Sequence, residues 1–244
     1  MCFWKKAVFP FLVVCIVALL LVISRINPQL FGQGWGLIAL VIIVAAIILF
    51  YWRFEQRKAS SREVAVVAVL GTIAAAGRIP FAVFPSIQPV TFIVIVSGYI
   101  FGPQAGFMAG STAALVSNFF LGQGPWTPWQ MLAWGLAGAS AGLMGKYFPT
   151  AGKTCMTLFC VVWGYLFGWI LNLWTWAGFI NPLNWQSFVA TCAASFWFDT
   201  FHAAGNAVFY LFFGPSFIKI LRRYHRKLKV VFLPDANCAH FPHG

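Results

Sequence analysis

Acidic residues are nearly missing from this chain, with four Asp and Glu against sixteen Lys and Arg in 244 residues. Four carboxylates cannot furnish a two-metal centre, and no Walker motif, HExxH helix, Ser-His-Asp set or pair of carboxylates placed for catalysis occurs. No catalytic residue, bound cofactor or nucleotide site is therefore expected. Charge of either sign is scarce at 8%, while 61% of the residues are hydrophobic, so a soluble core with a charged shell cannot be assembled. No outward loop carries a cysteine pair, which argues against a structural disulfide. Cys238, His240 and His243 lack a nearby fourth ligand and read as part of a mixed tail, not as a metal site.

Long hydrophobic runs are present instead. They fall at Ala7–Ser24, Trp35–Trp52, Val64–Phe84, Val90–Phe101, Ala105–Leu121, Met131–Tyr147, Met156–Trp176 and Phe188–Phe217. A helix needs about 20 apolar residues to cross a bilayer core, so the fourth run is short and the eighth is long enough to tilt or extend. The expected fold is an all-α membrane protein with eight spans. Fourteen of the sixteen Lys and Arg residues fall on one side of that arrangement, and only Arg25 and Arg78 fall on the other. The positive-inside rule then places both termini in the cytoplasm of a multi-pass cell-membrane protein. The net charge of +12 reports this topology and an attraction for anionic lipid headgroups, with no nucleic-acid partner implied. The first run lacks a signal peptide's cleavage pattern and reads as a retained anchor.

Four segments follow. Residues 1–52 form a two-helix membrane hairpin of Leu, Ile, Val and Ala, and residues 53–62 a basic cytoplasmic linker. Residues 63–218 form a six-span unit rich in Gly, Ala, Trp, Asn and Pro, and residues 219–244 a basic tail. Gly102, Gly106 and Gly110 recur every four residues, as do Gly138 and Gly142, a spacing that lets helix backbones approach closely in lipid.

Polar residues within this unit are few enough to name. Asp199, His202 and Asn206 share one face of the last helix. A charged group at that depth must pair or face water, and Arg78 and Asn118 are the candidate partners. A clamp on the last helix, contact with a polar substrate and a proton relay are all compatible with that face. The outward loops are apolar, aromatic and Pro-restricted: Phe81, Phe84 and Gln88 in the first, Gly122 through Gln130 in the second, Asn184 and Trp185 in the third. Trp174, Trp176 and Trp185 suit an interfacial belt. Trp126 and Trp129, locked between two prolines and two glycines, suit a ligand wall or a belt equally.

These residues carry a resemblance. Gly77-Arg-Ile-Pro80, Pro89-Val-Thr91, Ser97-Gly-Tyr99, Phe101-Gly-Pro103, the segment Gly122 through Gln130, and Asp199 with His202 and Asn206 resemble the S components of energy-coupling factor (ECF) transporters. The resemblance covers about Ala65 to Gly214, and GQGPWTPWQ is its most specific part. It implies a six-helix bundle that binds a vitamin near its outer face and docks onto a transmembrane coupling subunit with two ATPases. It implies binding under the outward loops Phe81–Pro89, Gly122–Trp129 and Asn181–Trp185, and with the polar intramembrane residues the candidate substrate-binding set is Arg78, Phe81, Phe84, Gln88, Asn118, Gln123, Trp126, Trp129, Gln130, Asn184, Trp185, Asp199 and His202. It implies docking through small residues on the first core helix, where Ala68, Gly71, Thr72 and Ala75 stand closest to the family's AxxxA pattern. The Trp- and Pro-rich loop most resembles cobalamin-type S components; α-ribazole, a queuosine precursor or a pterin are the alternative ligands. A membrane scaffold, an intramembrane enzyme and an autonomous secondary transporter are the competing classes. The last usually shows inverted repeats, which are not apparent here.

Overall fold

The computed structural model describes residues 35–56 and 61–228. Among these residues the chain forms eight α-helices and no strand. They are α1 Trp35–Gln56, α2 Ser61–Arg78, α3 Val90–Phe101, α4 Pro103–Leu121, α5 Thr127–Tyr147, α6 Lys153–Phe179, α7 Trp185–Ala194 and α8 Phe196–Leu228, with a 3-10 turn at Pro80–Val83. The first hydrophobic run, Ala7–Ser24, and the Cys238, His240 and His243 group lie outside the described residues.

Four of these segments, Gly36–Gln56, Ser61–Val83, Lys153–Phe179 and Phe196–Leu228, are long and apolar enough to cross a membrane by length and composition. Two of the expected eight runs, the short fourth and the long eighth, take forms other than a single span-length helix. The run Phe188–Phe217 is two helices, because Ser195 interrupts it between α7 and α8. Its hydroxyl accepts from Asn172 Nδ2 at 2.7 Å and faces Asp199 Oδ2 at 2.9 Å and the Cys192 carbonyl at 3.1 Å. A serine bonding to nearby backbone competes with continuous helix. The run Val90–Phe101 makes a helix of only 12 residues, about 18 Å long at 1.5 Å per residue. Val90 through Ile100 are all buried, so α3 is a short central post enclosed by protein.

Two helices also run beyond their expected ends. α1 continues to Gln56, into the segment read as a linker, and α8 continues to Leu228, so Lys219, Arg222, Arg223, Arg226 and Lys227 are helical. Nearly three turns of helix carrying five basic residues thus replace the first part of what the sequence suggests is a tail.

Glycines set the packing around α3. A Cβ on Gly98 would overlap the carbonyl of Gly138, one on Gly106 the same carbonyl, and one on Gly145 the carbonyl of Tyr99. Backbones of α3, α4 and α5 therefore touch with no side chain between them, which is how small residues favour association in lipid. Gly106, Gly110, Gly138 and Gly142 all serve this interlock. Gly102 does not: with φ of 94° and open space where its Cβ would be, it makes the reversal between α3 and α4.

α1 is more than a greasy anchor. It packs against α5, α6 and an edge of α4. The Phe50 ring stacks on Phe107 at 3.9 Å between centroids, and Tyr51 Oη lies 2.9 Å from Ser111 Oγ. This seat leaves α2 clear, since α2 lies on α3 and α4.

Candidate binding site

α2, α4 and α5 bring their polar residues together at one end of the bundle, around Arg78. Arg78 Nε donates to Gln88 Oε1 at 3.1 Å, and Nη1 lies 2.6 Å from both Ser117 Oγ and Asn118 Oδ1. Asn118 Nδ2 passes the network on to Thr127 Oγ1 at 3.0 Å and Gln130 Oε1 at 2.8 Å. The Thr127 hydroxyl donates to Gln123 Oε1 at 2.9 Å and accepts from the Gly124 amide at 3.2 Å. Arg78 and Asn118 thereby tie the first and second loops to each other. Five donors in a planar fork suit arginine to such a hub.

The guanidinium also lies over the Trp134 ring, 4.9 Å from its centroid. Below Trp134 comes Phe167 at 4.6 Å, and below that His202 at 5.0 Å, each nearly parallel to the last. One continuous stack, Arg78, Trp134, Phe167 and His202, joins α2, α5, α6 and α8. A hydrogen-bonded chain runs beside it. Trp134 Nε1 donates to Thr91 Oγ1 at 2.8 Å, Thr91 lies 2.9 Å from His202 Nε2, and His202 Nδ1 lies 2.8 Å from the Ser86 carbonyl. Because a carbonyl only accepts, Nδ1 carries the proton, and Nε2 accepts from the Thr91 hydroxyl.

Asp199 stands apart from this hub. Its carboxylate is buried and bonds to Ser195, which bonds to Asn172, while its Oδ1 lies against Gly168. The expected partnership with Arg78 or Asn118 is not formed, because those two engage each other. Asn206 is buried on the same face, donating to the Cys160 carbonyl at 3.4 Å. Asp199, His202 and Asn206 share the buried face that the spacing implies, yet each serves a different neighbour.

The two loop tryptophans also separate. Trp126 is 39% exposed and lies against Gly124, whereas Trp129 is 4% exposed and turned toward Ile43, Ile47 and Phe107. Trp129 is thus core packing beneath α1. Phe84 is 52% exposed, and Phe81 packs edge-on against Phe209 at 5.3 Å. Asn184 caps α7 by a reciprocal bond with Ser187, and Trp185 beside it is exposed. On α2, Gly71 and Ala75 face inward; a Cβ on Gly71 would stand 2.9 Å from Thr112. Ala68 and Thr72 face outward, in a row with Ala65 and Ala76.

Ser117, Trp134 and Asn172 complete these networks without having been singled out from the sequence, and Thr91 and Thr127 stand in quoted motifs without having been named as site residues. Asn172 was the most legible, as a lone amide in an apolar 27-residue helix. Among the described residues no group of three His, Cys, Asp or Glu side chains could hold a metal. The site offers a cation, amides and aromatic faces, with no activated nucleophile.

The fold defines an all-helical protein with several helices long and apolar enough to cross a membrane. The chain belongs to the family described as ECF transporter, substrate-specific component, whose model matches residues 62–218. No curated protein and no solved structure matches it. It is therefore a transport subunit of the membrane, and the resemblance to ECF S components holds.

Proposed function

We propose that the Arg78 end is the outward-facing mouth of the subunit, that it captures a vitamin carrying a phosphodiester, and that a corrinoid of the cobalamin type is its ligand. The observation that supports this is the state of Arg78. Arg78 is 9% exposed, its hydrogen bonds go to neutral acceptors, and Nη2 has no protein partner among the described residues. A cation this deep is costly unless an opposite charge approaches it. The phosphodiester of a corrinoid's nucleotide loop supplies one. The amides of Gln88, Gln123, Asn118 and Gln130 match its amide side arms, and exposed Phe84 and Trp126 suit its apolar ring face.

Docking onto a coupling subunit with two ATPases would use the outward row Ala65, Ala68, Thr72 and Ala76 of α2. α1 sits elsewhere and leaves that row open. The basic end, carrying Lys146, Lys153 and the last turns of α8, would face the cytoplasm by the positive-inside rule.

A smaller anionic ligand, such as a phosphorylated ribazole, is the second reading. It is favoured by the closed loop network, since Arg78, Gln88, Asn118, Thr127 and Gln130 already bond to one another across the first and second loops and a corrinoid would have to part them. Calorimetry of the purified chain with cobalamin and with α-ribazole phosphate separates the two. Heat from neither, in folded protein, rejects both ligands.

A further inference from the structure

The end of the bundle opposite Arg78 holds a cleft of about 340 Å³ between α3, α5 and α8. Tyr99, Gly145, Pro149, Arg222, His225 and Arg226 line it. We infer that this cleft is a binding site for a phosphate-bearing anion, and that a membrane phospholipid with an anionic headgroup supplies it.

Its walls are built, not merely basic. Arg222 Nη2 donates to the Pro149 carbonyl at 2.7 Å, and its guanidinium lies 5.8 Å from the Tyr99 ring centroid. The Tyr99 hydroxyl donates to the Phe148 carbonyl at 2.9 Å and accepts from the Ala151 amide at 3.1 Å, which pins the loop between α5 and α6 to α3. The His225 ring packs on Phe101 at 5.1 Å. Arg222 and Arg226 are one helical turn apart on the same face, and neither meets a carboxylate among the described residues. The four acidic residues of the whole chain cannot neutralise this end.

Depth selects the lipid source. Arg222 stands 26 residues after Phe196 on a single helix, about 39 Å along the axis at 1.5 Å per residue. A bilayer measures about 30 Å across its hydrocarbon and about 40–45 Å with headgroups, so a helix that enters near Phe196 delivers Arg222 to headgroup level. Basic pockets between helices at that level recognise anionic headgroups. The inference holds whichever substrate is carried.

Native mass spectrometry of the full chain in mixed micelles tests it, with phosphatidylglycerol and phosphatidylcholine of identical acyl chains as competing probes. The wild type should retain phosphatidylglycerol preferentially. The double variant Arg222→Gln with Arg226→Gln should lose that preference by about 30-fold, on a scale of about fivefold per charge. Arg226→Gln alone, which spares the Pro149 bond, should lose about fivefold of it. The control Arg223→Gln with Lys227→Gln removes equal charge from α8 outside the cleft and should keep the preference. Competition by millimolar inorganic phosphate would support the phosphate site while naming a soluble source. Equal retention of both lipids by the wild type, or an equal loss in the control, would overturn the proposal, because diffuse attraction to basic helix ends then suffices.

Discussion

His202 Nδ1 lies 2.8 Å from the carbonyl oxygen of Ser86, the one non-glycine residue among those described with a left-handed backbone, at φ of 62°. A side chain on the last helix therefore holds the tightest bend of the first loop. Ile87, next in the loop, packs against Gly205 one turn further along the same helix, and Gln88 is held by Arg78. Three successive loop residues are fixed by three different contacts.

His202→Phe should keep the ring stack and remove both hydrogen bonds. Losing two buried bonds costs about 1–3 kcal/mol, so the melting temperature should fall. Amide exchange across residues 81–88 should quicken more than exchange in α4. Unchanged exchange in that loop would show that Ile87 and Gln88 hold it without the histidine.

Arg78→Lys keeps the charge and loses the fork. An ammonium cannot serve Gln88, Ser117 and Asn118 together while remaining available to a ligand. Affinity for the phosphate-bearing ligand should drop at least tenfold, equivalent to about 1.4 kcal/mol. Arg78→Gln should drop it further. Equal calorimetric affinity for wild type and both variants would remove Arg78 from the ligand's contacts.

Trp126→Ala and Trp129→Ala should part company. Trp126 is half-open at the mouth, and its loss should weaken ligand binding several-fold with little change in melting temperature. Trp129 is buried beneath α1, where it lines a cavity of about 500 Å³ with Ile38, Ala39 and Ile42, and truncating it should cost about 3–5 kcal/mol of stability. A stable Trp129→Ala protein with lost affinity would reverse the assignment.

Large residues on α2 should sort by face. Ala68→Trp and Thr72→Trp should weaken co-purification with the coupling subunit while leaving ligand binding intact. Gly71→Trp meets Thr112 and Ala109 at once, so yield should fall before docking can be measured. Full assembly by Ala68→Trp would place the docking surface elsewhere.

Orientation has a direct check. A cysteine at Trp185, which is exposed beside the Arg78 end, should react with an impermeant thiol reagent in intact cells, and one at Lys153 should react only after permeabilisation. The opposite pattern would invert the topology.

Helix positions were readable from the sequence because hydrophobic run length depends on composition alone. Seven runs reappear as helices at nearly their expected places. The break at Ser195 was not readable, since its cause is a side chain from α6, Asn172, that is distant in sequence. Asn118 and Gln130 were legible as rare polar residues near loops, and they do converge on Arg78. Asp199 was legible as the one carboxylate in a span, but its partner was not, because Ser195 is a common residue with no pattern of its own. Trp126 and Trp129 are three residues apart in one motif, and only the presence of α1 over Trp129 tells them apart.

The contact of Gly98, Gly106 and Gly138 has a bearing on how this chain tolerates variation. None of the three touches the Arg78 network, yet a single added methyl at any of them meets backbone, which cannot rotate aside. A saturation library selected only for membrane yield should therefore reject even alanine along this line, while accepting wide change at exposed Phe84 or Trp126. Selection for uptake should add the mouth residues to the intolerant set. The difference between the two maps would separate what assembles the protein from what serves its cargo, without a ligand ever being identified.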